Sequence, residues 1–303
     1  MIRIKFLLIS FIGIFVLISC NDKFKPKQEI RTECKQGTEA VRKVLFVGWD
    51  GVRSDAILKA ETPCIDSLLN SAYSNWHTDR GAYTVSVPGW SSLLHGVWPE
   101  KHGLTDNTFK TSNYKSYPDL FTLARQLKPN LSLATLSNWD DFLRITENEN
   151  FAQRYTTDHD LKEATKYLLQ DCTPDMTVLH FETPDAMGHY SGFSPTNSDY
   201  LKEITVVDAY LNELMKVVKY REQNYNEEWM VVVTTDHGGE GTGHGNQYDL
   251  DQTRFVWCIL RIPSLSHNIE LPEATSVDIL PTMFKWMNIP LNPAWNLDGQ
   301  ALF

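Results

Sequence analysis

Apolar positions in this chain fall into short unbroken runs set between longer amphipathic stretches. The runs at 44–49, 131–136, 176–182, 229–235 and 255–260 are almost wholly apolar, as expected of strands buried on both faces. Between them, about 54–72, 90–95, 118–127, 160–170, 196–219 and 275–287 place apolar residues at helical spacing. This alternation predicts an α/β fold, a three-layer α/β/α sandwich with a largely parallel central sheet. The stretch 99–117 is polar and turn-rich and reads as a loop over one edge of that sheet. No internal repeat is present, and no linker divides the chain after residue 41, so 42–303 is expected to be a single domain.

The first 20 residues read differently. Arg3 and Lys5 precede an apolar run from Phe6 to Ser19, of signal-peptide length and short for a membrane span. Leu17-Ile18-Ser19-Cys20 resembles a bacterial lipobox. That resemblance implies cleavage before Cys20, a lipid on its sulfur, and a place in the bacterial cell envelope, on the periplasmic or outer-membrane face, with the lipid as the only membrane contact. An uncleaved N-terminal anchor is the alternative. Residues 21–41 are polar and irregular and read as a tether. Export permits disulfides. Cys34, Cys64, Cys172 and Cys258 fit no zinc spacing; Cys258, inside an apolar run, is expected to be a buried thiol, and a Cys34–Cys64 pair stays open.

Hydrophobic residues at 42% are enough for a substantial core. The formal charge is −10, from 38 acids and 28 bases, and loss of Arg3 and Lys5 with the leader would make it −12. That balance excludes a dedicated nucleic-acid surface. It leaves room for a small anionic substrate, because bound divalent ions reverse the local charge.

Chemistry gathers where the buried runs end. Asp50 closes the first run, Asp185 and His189 follow the third, and Asp236-His237 ends the fourth, ahead of a glycine-rich loop that reaches His244. In open α/β sheets, ligands bind beyond the carboxyl ends of strands. Carboxylates and imidazoles delivered there suit two divalent metals. Asp185 and His189 are four apart, and Pro184 and Gly188 suggest a shaped turn rather than a plain helix. Asp50 alone could be a helix cap. Ser86, on a turn before Pro88, is the candidate nucleophile, with Thr84 its rival on hydroxyl chemistry. Glu240 is expected to face solvent. Tyr83, Trp90, Trp98 and Trp139 could stack on a substrate, with core the better reading for each. No Walker loop, dinucleotide fingerprint or G-x-S-x-G elbow competes.

In order, Asp50-Gly51, Ser86-Val87-Pro88, Gly96 to Gly103 (G-x-x-P-E-x-H-G), Asp185 to His189 (D-x-x-G-H), Asp236-His237-Gly238 and His244 resemble the blocks of the alkaline phosphatase superfamily. The branch they resemble is the type I phosphodiesterase/nucleotide pyrophosphatase family, over about 42–303. The resemblance implies two metal ions, with zinc expected from the three histidines. Asp185, His189 and His244 would hold one ion, and Asp50, Asp236, His237 and the Ser86 oxygen the other. Ser86 would form a phosphoseryl intermediate on a small-molecule or glycan phosphoester.

The chain departs from that pattern in places. Many members use Thr where this chain has Ser86, and often Asn where it has Gly89; a phosphoryl oxygen would then meet Gly89 or Val87 backbone, or Asn107. The expected activity is a phosphodiesterase or pyrophosphatase. The alternatives are a phosphomonoesterase, an envelope phosphotransferase, a lipid-anchored binding protein, or a sulfatase, whose S-x-P-x-R motif would need Arg where Trp90 stands.

Overall fold

The computed structural model describes residues 40–170 and 174–303. The expected leader, Cys20, Cys34, Cys172 and nearly all of the expected tether lie outside the described residues. Among the described residues the strands are β1 (Val41–Trp49), β2 (Ala72–Asp79), β3 (Leu133–Ser137), β4 (Phe151–Arg154), β5 (Met176–Phe181), β6 (Glu227–Thr234), β7 (Phe255–Arg261) and β8 (Ile269–Glu270). They form one sheet in the order β4-β3-β5-β1-β6-β7-β2-β8. Pairing is parallel from β4 across to β6, and β7 runs antiparallel to both β6 and β2. The helices are α1 (Ser54–Ile57), α2 (Pro63–Leu69), α3 (Ser86–His95), α4 (Pro99–His102), α5 (Leu120–Leu127), α6 (Asp158–Gln170), α7 (Thr183–Ser191), α8 (Ser198–Asn224), α9 (Asp251–Arg254) and α10 (Ile279–Trp286).

The sheet is covered on both sides, as the unbroken apolar strands require. Leu45, Val47 and Trp49 of β1 join Val231 and Val233 of β6 in a core beneath α6 and α8. Val44 and Phe46 face the other way, with Trp90, Leu93 and Leu94 of α3 and Ile279, Met283 and Phe284 of α10. The sandwich predicted from the sequence is therefore present. In parallel register, Trp49 lies opposite Phe181 and Gly48 opposite Thr234. The ends of β1, β5 and β6 thus fall on one edge.

Three expectations need correction. The helix expected over 54–72 breaks, because Pro63 starts a new helix at its first turn, and residues 72–79 then form β2. That strand was hidden by its polar residues, of which Ser74, Asn75 and Thr78 are buried. Asn75 Nδ2 donates to the Leu271 carbonyl at 2.8 Å and Thr78 Oγ1 to Asn75 Oδ1 at 2.9 Å, so burial leaves them satisfied. Residues 99–117 include α4 and pack on α3, with Tyr114 Oη 2.6 Å from Ser91 Oγ. Residues 183–191 are a regular helix and not a turn. Gly188 is needed within it because a Cβ there would lie 2.2 Å from Phe193 Cε1.

Among the described residues no helix is long and apolar enough to cross a membrane. Cys64 and Cys258 are buried free thiols, pushed up by burial to about 12 and about 11.

Candidate functional site

The strand-end residues meet as the sequence implied. His237 Nε2 lies 3.4 Å from Asp50 Oδ1, 3.3 Å from Asp236 Oδ2 and 3.2 Å from Ser86 Oγ. His244 Nε2 is 3.7 Å from Asp185 Oδ1 and 3.0 Å from His189 Nε2, and His189 Nε2 is 3.4 Å from Asp185 Oδ2. The His237 and His244 rings stack with centroids 3.7 Å apart. Donor atoms of Asp50, Asp236 and His237 lie within 4.8 Å of one another, as do those of Asp185, His237 and His244. His237 therefore borders both groups.

Local structure aims each group. Gly51 has φ of 67°, and a Cβ there would strike Asp185 Oδ1 at 2.5 Å, so only glycine lets β1 and α7 approach so closely. All three imidazoles have Nδ1 facing a carbonyl: His237 that of Gly238 at 2.8 Å, His244 that of Thr84 at 2.6 Å, His189 that of Thr242 at 2.9 Å. A carbonyl only accepts, so Nδ1 carries the proton and Nε2 is turned to the site.

The carboxylates are held from behind. Asp50 Oδ2 accepts from His180 Nε2 at 2.7 Å and from Trp90 Nε1 at 3.2 Å, and Ser137 Oγ lies 3.0 Å from His180 Nδ1. Burial would raise Asp50, but His180, His237 and Trp90 outweigh it and hold the carboxyl below its usual range. Burial, with Asp50 and Asp185 adding their charge, pushes Asp236 well above that range. Asp185 is raised by burial and then by Asp50. Burial lowers His237 far below an ordinary histidine, and His244 adds to the effect.

Three buried carboxylate oxygens, Asp50 Oδ1, Asp185 Oδ1 and Asp236 Oδ2, have no hydrogen-bond partner among the described residues. Unsatisfied buried carboxylates are costly without a counter-ion. Their position beside inward-facing imidazole Nε2 atoms fits divalent metal. Asp50, Asp236, His237 and Ser86 could hold one ion, and Asp185, His189 and His244 another.

Ser86 begins α3, a helix buried along its whole length, so its Oγ lies at a helix N-terminus favourable to anions. Thr84 is excluded as the rival. It is fully buried, its Oγ1 donates to the His244 carbonyl, and it accepts from Gln247 N. The backbone groups expected to meet substrate are already committed: Val87 N donates to Asn107 Oδ1 at 2.9 Å and Gly89 N to the Val85 carbonyl at 3.2 Å. Gly89 is instead a packing glycine, since a Cβ there would lie 2.9 Å from the Asp236 carbonyl. Asn107 is exposed and keeps its amide nitrogen without a protein partner among the described residues.

Glu240 is exposed, as expected, and pairs with Arg53 at 2.9 Å. Trp90 is core and a support of Asp50. Trp98 and Trp139 are half-buried, and Tyr83 is exposed. Sequence reasoning missed His180 and Arg80. His180 left one trace, as a polar residue inside an otherwise apolar run.

A covered, largely parallel sheet with acids and imidazoles at its strand ends is the alkaline phosphatase-like α/β arrangement that the sequence resemblance implied. The profile of the type I phosphodiesterase / nucleotide pyrophosphatase family matches residues 44–141 and 132–253. The chain belongs to that family. It is 25% identical over 228 residues to bis(5'-adenosyl)-triphosphatase of Homo sapiens, covering 65% of this chain and 47% of that protein. The chain spans about half the length of the curated relatives it matches. Murine ectonucleotide pyrophosphatase/phosphodiesterase 5, inactive and in complex with AMP, matches with a TM-score of 0.63 at 15% identity, over 83% of this chain and 96% of that one. A 2-O GAG sulfatase matches with a TM-score of 0.65 at 14% identity, over 87% and 73%. Both structural likenesses show the fold.

Proposed function

We propose that the protein is a metal-dependent hydrolase of phosphodiesters or pyrophosphates, with Ser86 as nucleophile, acting on a small-molecule or glycan substrate. The observation that carries this reading is the placement of Ser86 Oγ 3.2 Å from His237 Nε2, beside three carboxylate oxygens without partners. Asp185, His189 and His244 would hold one zinc ion, and Asp50, Asp236, His237 and Ser86 Oγ the other. Such ions supply charge stabilisation for phosphoryl oxygens and favour ionised serine and water. Ser86 Oγ forms the bond to phosphorus as the bond to the leaving oxygen breaks, and water then cleaves the phosphoseryl ester. Ser86 Oγ stands at the N-terminus of α3, whose dipole would favour the negative charge that this chemistry develops. Family membership and the triphosphatase name of a relative support a nucleotide-like phosphoanhydride among the substrates.

The sulfatase fold is shared, and the fold alone does not separate the two readings. Trp90 supports the phosphoester reading, since it is buried against Phe142 and Asp50 where the sulfatase motif needs Arg. The lipobox-like segment supports attachment to the bacterial envelope by a lipid on Cys20. The reading is tested by hydrolysis of bis-p-nitrophenyl phosphate, p-nitrophenyl phosphate and p-nitrophenyl sulfate with zinc and with chelator. Zinc-dependent diester cleavage is expected. Preferred monoester cleavage would move the protein to the phosphatase reading, and sulfate turnover alone would overturn the metal assignment.

A further inference from the structure

Arg80 is 1% exposed, among the largest fully buried side chains. Its guanidinium makes no ion pair with any carboxylate among the described residues. It donates to main-chain oxygens instead: Nε to the Asp236 carbonyl at 2.8 Å, Nη1 to that of Ala82 at 2.7 Å, and Nη2 toward that of Val85 at 3.5 Å. Asp236 ends β6 and carries a site carboxylate; Ala82 and Val85 belong to the turn that delivers Ser86. A Cβ at Gly89 would stand 2.7 Å from Nη2, so the guanidinium fills the space beside the first turn of α3. A buried cation without a paired acid is costly. Here it joins two segments of the site that are 156 residues apart.

Resting on the reading that Ser86 attacks beside bound metal, we propose that Arg80 is a positioning residue that locks the Ser86 turn against the Asp236-His237 strand end. The planar fork holds several carbonyls in fixed directions, which a lysine ammonium, a point charge on a flexible stem, does not reproduce. Arg80 thereby sets both the metal affinity of the strand end and the alignment of the nucleophile.

The test compares full-length wild type, Arg80→Ala, Arg80→Gln and Arg80→Lys, with and without millimolar methylguanidinium. Zinc affinity is read by competition with a chromophoric chelator, kcat and KM on bis-p-nitrophenyl phosphate, and unfolding of the metal-free proteins separately. Arg80→Ala is expected to bind zinc about tenfold or more weakly and to lose about a hundredfold in kcat with little change in KM. Arg80→Lys should fall between, and methylguanidinium should recover affinity and kcat in Arg80→Ala. If Arg80→Ala does not fold, Arg80→Gln is judged by its zinc affinity and kcat. Variants with wild-type zinc affinity and kcat would overturn the proposal. So would losses that follow metal-free stability alone and do not respond to methylguanidinium. A wild type that neither binds zinc nor cleaves the diester would refute the metal-site reading, and the Arg80 proposal with it.

Discussion

His189 Nε2 and His244 Nε2 stand 3.0 Å apart, and each ring has its Nδ1 committed to a backbone carbonyl. Asp185 raises His189 to about 9, so in the absence of metal a proton on His189 Nε2 occupies the space between the rings, and a divalent cation bound there would take its place. Asp185 lies against both rings, at 3.4 and 3.7 Å. The same geometry explains why three oriented ligands can come from α7 and from a loop 55 residues further on.

Metal should therefore stabilise the fold as well as serve the chemistry. At a zinc concentration of about 100 times Kd, the expected gain is about 2.7 kcal/mol, visible as a rise in thermal midpoint that excess chelator reverses. His244→Ala should abolish most of that rise. A midpoint indifferent to zinc and chelator would contradict the assignment.

His180 holds Asp50 from behind, at 2.7 Å, within a buried set that includes Trp90 and Ser137. His180→Ala should weaken metal binding by about 10- to 100-fold, measured by chelator competition. His180→Gln, which keeps a donor, should recover part of the loss. Equal affinity in all three proteins would remove His180 from the account.

Much of this was legible in the sequence because burial leaves a plain trace. β1, β5 and β6 are apolar throughout, so their ends and the acids and histidines beyond them could be read directly. β2 was not legible, since its buried Ser74 and Asn75 are satisfied from distant parts of the chain, at Asn268 and Leu271, and Thr78 by Asn75. The helix carrying Asp185 and His189 was hidden by Pro184 and Gly188; the proline sits in the first turn and the glycine makes room for Phe193. His180 and Arg80 act through groups 130 and 156 residues away, and no local pattern announces such partners.

His102 gives a pH signature away from the candidate metal site. Its Nδ1 accepts from Leu104 N at 3.2 Å and its Nε2 faces Ser92 Oγ at 3.2 Å, which fixes the neutral ring. Burial lowers it to about 3. The unfolded histidine, near 6.5, takes up a proton that the folded one refuses. The contribution is thus complete above about pH 6.5 and is lost as pH falls toward 3, by about 1.4 kcal/mol per pH unit. Urea unfolding between pH 7 and 4 should show a shallower pH slope in His102→Gln than in wild type. Parallel slopes would contradict this.

Gly188 tests the packing of α7. Its missing side chain leaves room for the Phe193 ring, which also lies 2.5 Å from where a Gly239 Cβ would be. Gly188→Ala should cost about 1–3 kcal/mol by overpacking, read as a lower urea midpoint, and should weaken metal binding by displacing Asp185 and His189. A neutral substitution would mean that the ring has room to move.

The most direct measurement is turnover of bis-p-nitrophenyl phosphate by zinc-loaded wild type and Ser86→Ala, with metal content determined on the same samples. In Ser86→Ala three of the four proposed ligands of that ion, Asp50, Asp236 and His237, remain, and the other ion keeps all of its own. The account predicts unchanged metal content and a loss of at least about a thousandfold in kcat. Full turnover in Ser86→Ala at wild-type metal content would contradict it.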